Sequence, residues 1–386
     1  MSQAPHDSTT GPHRSARSRP ERNGPPRVGI VGAGQLARMM VDAAHGLGVE
    51  CVVASRPGDD AMAGAGLNDV VREVTSFDTG TLLDLDRDVD VVTFDHEPVD
   101  LAAVRAAFDA GANLRPGPDA LAFSDKAHQR TGLSRLGLAV PPFLITRSGD
   151  QVRRFGSEHG WPIMVKAPRG GYDGRGVAVA EEAGAAVALM QRFGGRAVIE
   201  PRLDLRAELS VVTVRTEDGT IVSYPPVETT QHDGMCHEVV VPSMLPHHLL
   251  DAATAVAEAV AAAVEAIGVL AVELFVVGDS VLVNEVAPRP HNSGHLTIEA
   301  CAASQFENHL RAVIGWPLGP TELVVPAAAM VNVVGTDRGT PSMTTSPGVT
   351  VHGYGKAPRP GRKLGHVTAV AASPAEASRL ARASVS

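Results

Sequence analysis

Two glutamates facing each other across a predicted hairpin give this sequence its first chemical signal. The runs Val269 to Val277 and Ser280 to Glu285 flank Gly278-Asp279 and read as paired strands. A turn centred on Asp279 sets Glu273 opposite Glu285, and two carboxylates so placed among valines and leucines repel each other and are costly to bury. A hard, oxygen-seeking divalent cation between them answers both problems, and Asn284 can add a neutral amide oxygen. The plain alternative is an exposed hairpin face with both acids in water.

A second segment suits a triphosphate. Lys166 interrupts an apolar strand and is followed by the loop Arg169-Gly170-Gly171-Tyr172-Asp173-Gly174-Arg175-Gly176. Four glycines let backbone N–H groups converge on phosphate oxygens while the ammonium adds a point charge. The lysine precedes the loop and no Gly-Lys-Ser/Thr opens a helix, so this is not the Walker pattern. A flexible hairpin with a snorkelling lysine is the alternative, and Tyr172, Asp173 and Arg175 are costly choices for a mere turn.

Two further clusters are polar. Directly after the acidic strand comes Pro288-Arg289-Pro290-His291-Asn292-Ser293-Gly294-His295, a loop held by a rigid strand, where binding groups concentrate. Either histidine alone reads as readily as a structural residue. Near the C-terminus, Lys356, Arg359, Arg362, Lys363 and His366 form a basic group whose natural guest is a phosphate monoester; solvated charge on a turn is the bland reading.

Gly32-Ala33-Gly34-Gln35-Leu36-Ala37 matches a dinucleotide fingerprint, since it follows a strand and opens a helix. An NAD site also wants an acid at the end of the second strand, and Ala54-Ser55-Arg56 stand there instead. The turn is therefore read as a close helix–sheet contact or as an anion or substrate site, with an NAD(P)-dependent oxidoreductase as the rival from another enzyme class.

The elements needed to position these groups are legible in outline. Strand, glycine turn and helix over residues 27–46, with further strands at 49–54 and 89–94 and a helix at 101–110, predict a doubly wound domain over 27–120. Residues 121–205 read as a small α+β lid, 206–326 as strands around a long Ala/Val helix at about 246–267, and 327–386 as short strands before a terminal helix. A single strand is expected over 221–227. Residues 1–26, rich in Pro, Ser, Arg and Gly, read as a disordered tail rather than a signal peptide.

Composition bounds the function. The 386 residues are 44% hydrophobic, enough for large cores and more than one domain. No apolar run approaches the roughly 18 residues that span a bilayer. A net charge of −9 argues against a nucleic-acid partner. The three cysteines, Cys51, Cys236 and Cys301, form neither a metal spacing nor an even disulfide set, which fits a reducing, cytoplasmic compartment.

Gly-Tyr-Asp-Gly-Arg-Gly at 171–176, Asn-Glu-Val-Ala-Pro-Arg-Pro-His-Asn-Ser-Gly-His at 284–295 and Pro-Gly-Arg-Lys-Leu-Gly-His at 360–366 occur in an order and separation that resemble the ATP-grasp superfamily. Within it, the last two strings resemble the 5-(carboxyamino)imidazole ribonucleotide synthase family, over about Arg27 to the end. The resemblance implies an ATP-grasp fold with an N-terminal Rossmann-like domain and a C-terminal β segment. It implies a ligase of purine biosynthesis that uses ATP, Mg2+ (or Mn2+) and bicarbonate to carboxylate aminoimidazole ribonucleotide, and that forms a homodimer.

By the same resemblance, Lys126, Lys166, Gly171, Gly174 and Gly176 would hold the ATP phosphates. Glu200, Pro201, Arg202 and Leu203 would form the adenine hinge, with Glu208 at the ribose and His232 near the nucleotide. Glu273, Asn284 and Glu285 would hold magnesium. Tyr172, Asp173, Arg175, His291, Asn292 and Ser293 would face the imidazole nucleotide, the first three and His291 as catalytic groups, with Lys356, Arg362 and Lys363 on its phosphate. Two departures are visible: Lys126 stands where the family more often has arginine, and in Thr93-Phe94-Asp95-His96-Glu97-Pro98 only Glu97 matches the family's usual acidic run. A formate-using glycinamide ribonucleotide transformylase, sharing the lysines and the acids, is the near alternative, and the 290–295 loop favours the carboxylating enzyme.

Overall fold

A computed structural model describes residues 24–59, 70–96, 99–170, 176–232 and 234–386. Most of the expected tail, Glu97, and the loop residues Gly171, Tyr172, Asp173, Gly174 and Arg175 lie outside the described residues. The chain opens with β1 (Arg27–Val31), α1 (Gln35–Leu47), β2 (Glu50–Ser55), β3 (Val71–Glu73), α2 (Thr79–Asp88), β4 (Val91–Phe94), α3 (Leu101–Asp109) and the short α4 (Pro118–Leu121). The strands form a parallel sheet of order β3-β2-β1-β4. Both faces are covered, which is why β1 reads as an unbroken apolar run. Val28 and Ile30 meet Leu36 and Met40 of α1, whereas Val31 and Phe94 meet Leu82, Leu85 and Val104 on the other side.

Next come α5 (Lys126–Arg135), β5 (Leu144–Thr146), α6 (Gly149–His159), β6 (Ile163–Lys166), β7 (Val177–Ala180), α7 (Ala183–Arg192) and β8 (Ala197–Pro201). The strands form an antiparallel sheet of order β5-β8-β6-β7. One face is sealed by Val152 and Phe155 of α6 and Ala186 and Met190 of α7. The other face carries Lys166 and Glu200 toward the middle of the molecule.

The third layer contains β9 (Ala207–Arg215), β10 (Ile221–Ser223), β11 (Val227–His232), β12 (Met235–Val241), α8 (His247–Val264), β13 (Gly268–Val277) and β14 (Ser280–Ala287). It continues through α9 (Thr297–Ala300), α10 (Gln305–Ile314), β15 (Ala327–Val334), β16 (Val349–Gly353), β17 (Lys363–Ala371) and α11 (Pro374–Ala383). One large sheet runs β14-β13-β9-β11-β12-β15-β17-β16, with β10 beside β9, so the strands after residue 327 extend the sheet that holds the acidic hairpin. The single strand expected over 221–227 is two: Pro225-Pro226 cannot donate to a ladder, and the chain breaks there into β10 and β11. On α8, Leu249, Ala253, Ala257, Val260 and Val264 form a helical-period stripe buried on β9, β13 and β14. Among the described residues no helix is long and apolar enough to cross a membrane.

His309 of α10 ties the first domain to the large sheet. Its Nδ1 accepts from the Val269 N–H at 3.1 Å, so the ring proton sits on Nε2, which donates to Thr93 Oγ1 at 2.8 Å. The ring lies so close to Gly268 (φ 110°) that a Cβ there would meet it at 2.8 Å. Replacing His309 with alanine removes two buried hydrogen bonds and opens a cavity. We expect a loss of about 2–3 kcal/mol, read as a lower urea midpoint at unchanged slope. An unchanged midpoint would remove His309 from the domain junction.

Candidate active site

The acidic hairpin pairs as its sequence suggests, but by a different route. Its turn is two residues long and sets Ser280 opposite Val277, a register that carried on unbroken would bring Asn284 opposite Glu273. A bulge intervenes: Leu274 pairs with Val283 and Glu273 with Glu285, leaving Asn284 as the extra residue. The bulge gathers all three side chains, and the Asn284 amide donates to Glu273 Oε2 at 3.4 Å. The two acids keep 29% and 36% of their side-chain surface open, as befits a deep cleft rather than a sealed core.

Their electrostatics differ. Burial, and then the Glu285 charge, push the Glu273 carboxyl up to about 7. Burial acts on Glu285 too, yet Lys126 at 2.6 Å overcomes it and holds that carboxyl below the ordinary range. Among the described residues no group of three or more His, Cys, Asp or Glu side chains has metal-binding geometry. The donor set is two carboxylates and an amide oxygen, which fits a magnesium ion that takes its remaining ligands from phosphates and water.

The lysines arrive from separate elements. Lys126 opens α5, whose N-terminus is capped by the Asp125 carboxylate, and its backbone N–H donates to the Pro168 carbonyl at 2.8 Å, tying the helix to the loop after β6. Lys166 Nζ lies 2.7 Å from Glu200 Oε2 and donates to Asn284 Oδ1 at 3.2 Å. Burial, more than its neighbours, lowers the Lys166 pKa, while Glu200 is kept ionised against burial by Lys166 and Arg130. Thus the metal-type acids and the phosphate-type lysines meet at one edge of a cavity of about 1880 Å³.

Pro201, Arg202 and Leu203 line this cavity, as do Trp161, Met164 and Phe275, whose apolar surfaces suit a planar base. Glu208, its carboxyl raised by burial, stands beside them on β9. The same wall includes His291, Asn292, Lys356, Arg362 and Lys363. Lys356 reaches across to the side-chain oxygen of Gln35, so the basic C-terminal loop closes on the Gly32–Gln35 turn.

That turn is not a dinucleotide site. Asp95 Oδ2 accepts from the Gly34 N–H at 2.5 Å and Oδ1 from the Ala37 N–H at 2.9 Å, so a protein carboxylate already fills the anion position at the head of α1. A Cβ on Gly34 would meet Asp95 Oδ2 at 2.4 Å, so the glycine answers to this close contact.

Two expected contacts fall elsewhere. Ser293 is buried behind the wall, bonded to Ser210 Oγ at 2.7 Å and His291 Nδ1 at 2.9 Å, so it orients His291 rather than lining the cavity. His232 is exposed near the tip of the β11–β12 hairpin, outside the cavity wall; its neighbour Gln231 lines the cavity, because successive strand residues point to opposite faces. Gly176 is structural at the lid, its carbonyl accepting from Ala167 at 2.7 Å. Sequence reasoning missed Arg130 and Trp161; the available signals were a second base one helical turn after Lys126 and an aromatic residue just before the Lys166 strand.

The chain matches family models for a ribonucleotide synthetase preATP-grasp domain over residues 26–125, an ATP-grasp domain over 131–306 and a phosphoribosylaminoimidazole carboxylase C-terminal domain over 328–380. It is 41% identical over 358 residues to the N5-carboxyaminoimidazole ribonucleotide synthase of Mycobacterium tuberculosis, covering 89% of this chain and 83% of that one. Among solved structures, carboxyaminoimidazole ribonucleotide synthase from Aspergillus clavatus complexed with ATP superposes with a TM-score of 0.84 at 29% identity, over 92% of this chain and 96% of that one. The same enzyme in complex with ADP and 5-aminoimidazole ribonucleotide gives 0.81 at 28% identity, with 92% and 96% covered. Likeness of this extent, running through all three segments, places the chain in the N5-carboxyaminoimidazole ribonucleotide synthase family.

Proposed function

We infer that this protein is an ATP-grasp ligase that carboxylates the exocyclic amine of 5-aminoimidazole ribonucleotide with bicarbonate, yielding the N5-carboxy product, ADP and phosphate in purine biosynthesis. The observation that carries the reading is a cavity whose wall brings together the acid–lysine cluster, the apolar side chains near Pro201 and the basic residues Lys356, Arg362 and Lys363. Magnesium, held by Glu273, Glu285 and Asn284 when bound, supplies charge neutralisation on the transferring phosphate.

The chain's own groups do the rest. The Pro201–Leu203 segment seats the adenine, and Lys126 and Lys166 stabilise the γ-phosphoryl group as a bicarbonate oxygen takes it and ADP leaves. The carboxyl carbon of the resulting carboxyphosphate, or the carbon dioxide it releases, is then captured by the substrate amine as phosphate departs. Lys356, Arg362 and Lys363 hold the substrate phosphate, and Asn292 stands beside them through its contact with Lys363 at 3.3 Å. His291, lowered to about 3 by burial, Arg289 and Lys363, is neutral and serves as a hydrogen-bonding rather than a charged group.

Tyr172, Asp173 and Arg175 are assigned to the substrate on the family motif, with Asp173 taking the proton the amine loses. On this assignment Asp173→Asn lowers turnover by about 10²-fold with saturating nucleotide substrate, the usual scale of a general base. Near-parental turnover would remove that role. Free cysteines at 51, 236 and 301 support a cytoplasmic enzyme, and the family resemblance supports a homodimer, to be checked by sedimentation.

The deciding experiment is ADP release with ATP, magnesium and bicarbonate, with and without aminoimidazole ribonucleotide. Strong dependence on that nucleotide is expected. Turnover that ignores it, or that requires formate and glycinamide ribonucleotide, would overturn the substrate assignment.

A further inference from the structure

Glu200 has two cationic partners where one would balance it. Arg130 Nε lies 2.5 Å from one carboxylate oxygen and Lys166 Nζ 2.7 Å from the other. Arg130 and Glu200 are each 2% exposed and Lys166 7%, so the cluster is a buried set with one positive charge in excess. The two cations are not equivalent in position. Lys166 lines the cavity and also touches Asn284 at its acidic edge, whereas Arg130 is not part of the cavity wall.

A buried carboxylate stripped of its last cation is strongly penalised. A lysine that was the sole partner of Glu200 could turn to another anion only by stranding that charge. We propose that Arg130 is a positioning residue that keeps Glu200 neutralised, so that Lys166 can exchange Glu200 for the phosphates of the bound nucleotide. Lys126 and Arg130 lie one turn apart on α5, and that helix serves Glu285 through the first and Glu200 through the second. The inference rests on the reading that this cavity takes a nucleotide.

The test is calorimetric titration of ADP with magnesium into the parent, Arg130→Lys, Arg130→Met, Glu200→Gln and the Arg130→Met/Glu200→Gln double variant. Binding to the parent examines the nucleotide reading by itself; its absence would overturn that reading and the inference with it. Given parental binding, Arg130→Met should weaken ADP about tenfold or more, since Glu200 then competes for Lys166, and Arg130→Lys should stay within about threefold because the charge is kept. In the Glu200→Gln background Glu200 can no longer capture Lys166, so Arg130→Met should cost less than about threefold there. A merely structural arginine would cost as much in that background as in the parent. Such additivity, or parental affinity in Arg130→Met, overturns the proposal. Should Arg130→Met fail to fold, the double variant against Glu200→Gln keeps the proposal refutable, because removing both partners leaves no stranded charge from that pair and a loss of about tenfold there would overturn it.

Discussion

Glu285→Gln should cut ADP release by about 10²–10³-fold at saturating substrates, the scale expected when one charged transition-state contact is lost. Glu285 is the acid that Lys126 holds ionised, and it shares the hairpin face with Glu273 and Asn284. The amide keeps the size of the side chain but gives up the charge that would hold magnesium and pair Lys126. Two features separate this expectation from a general folding defect. The magnesium concentration for half-maximal rate should rise, and Glu273→Gln should be the milder change, because burial and the Glu285 charge already raise the Glu273 carboxyl to about 7. A Glu285→Gln enzyme that kept more than about a tenth of parental turnover would remove the cation from this hairpin.

Acid should loosen the fold well before ordinary carboxylates titrate. His295, His309 and His366 are sealed in the interior, and burial is the first cause that lowers all three below the ordinary 6.5, to about 3 for His309. His291 is lowered likewise to about 3. Their surroundings leave little room for a proton: His366 stacks on His352 at 4.4 Å, and its Nδ1 faces the Tyr354 hydroxyl at 2.8 Å. A histidine depressed in the folded state binds its proton more readily when unfolded, so its contribution is intact above pH 6.5 and declines as pH falls toward the folded value.

At pH 5.5 His291 and His309, both held near 3, each cost on the order of 1 kcal/mol relative to neutral pH, and His295 and His366 act in the same direction. Glu273 works in the opposite sense, since an acid raised to about 7 takes up its proton in the folded state and gives back about 2 kcal/mol. Four depressed imidazoles oppose one raised acid, so the net effect is a loss of stability at pH 5.5. Urea midpoints at pH 7.5 and 5.5, without nucleotide or metal, should differ accordingly; coincident midpoints would mean that these imidazoles accept protons without disturbing the fold.

What the sequence determined by itself was local chemistry and local period. A turn read as centred on Asp279 set Glu273 opposite Glu285, a pairing that the two-residue turn reaches only through the bulge at Asn284, and the strand–glycine–helix opening was enough for a doubly wound sheet. Motif order over 171–176, 284–295 and 360–366 was enough for the family. Tertiary structure decided what joins residues far apart in the chain. The bulge at Asn284 has no glycine or proline to announce it, and it arises where β14 must keep pairing while turning a third side chain toward Lys166. The bonds from Asp95 to the Gly34 turn, from Arg130 to Glu200 and from His309 to Thr93 span 61, 70 and 216 residues, and no window of local periodicity contains them. The merging of the 327–386 strands with the acidic hairpin's sheet is of the same kind, because edge strands of similar composition can pair with any neighbour of suitable twist until burial selects one. Residue types and spacing thus set which groups could do the chemistry, while the distances between those groups came from side chains that must neutralise one another once water is removed.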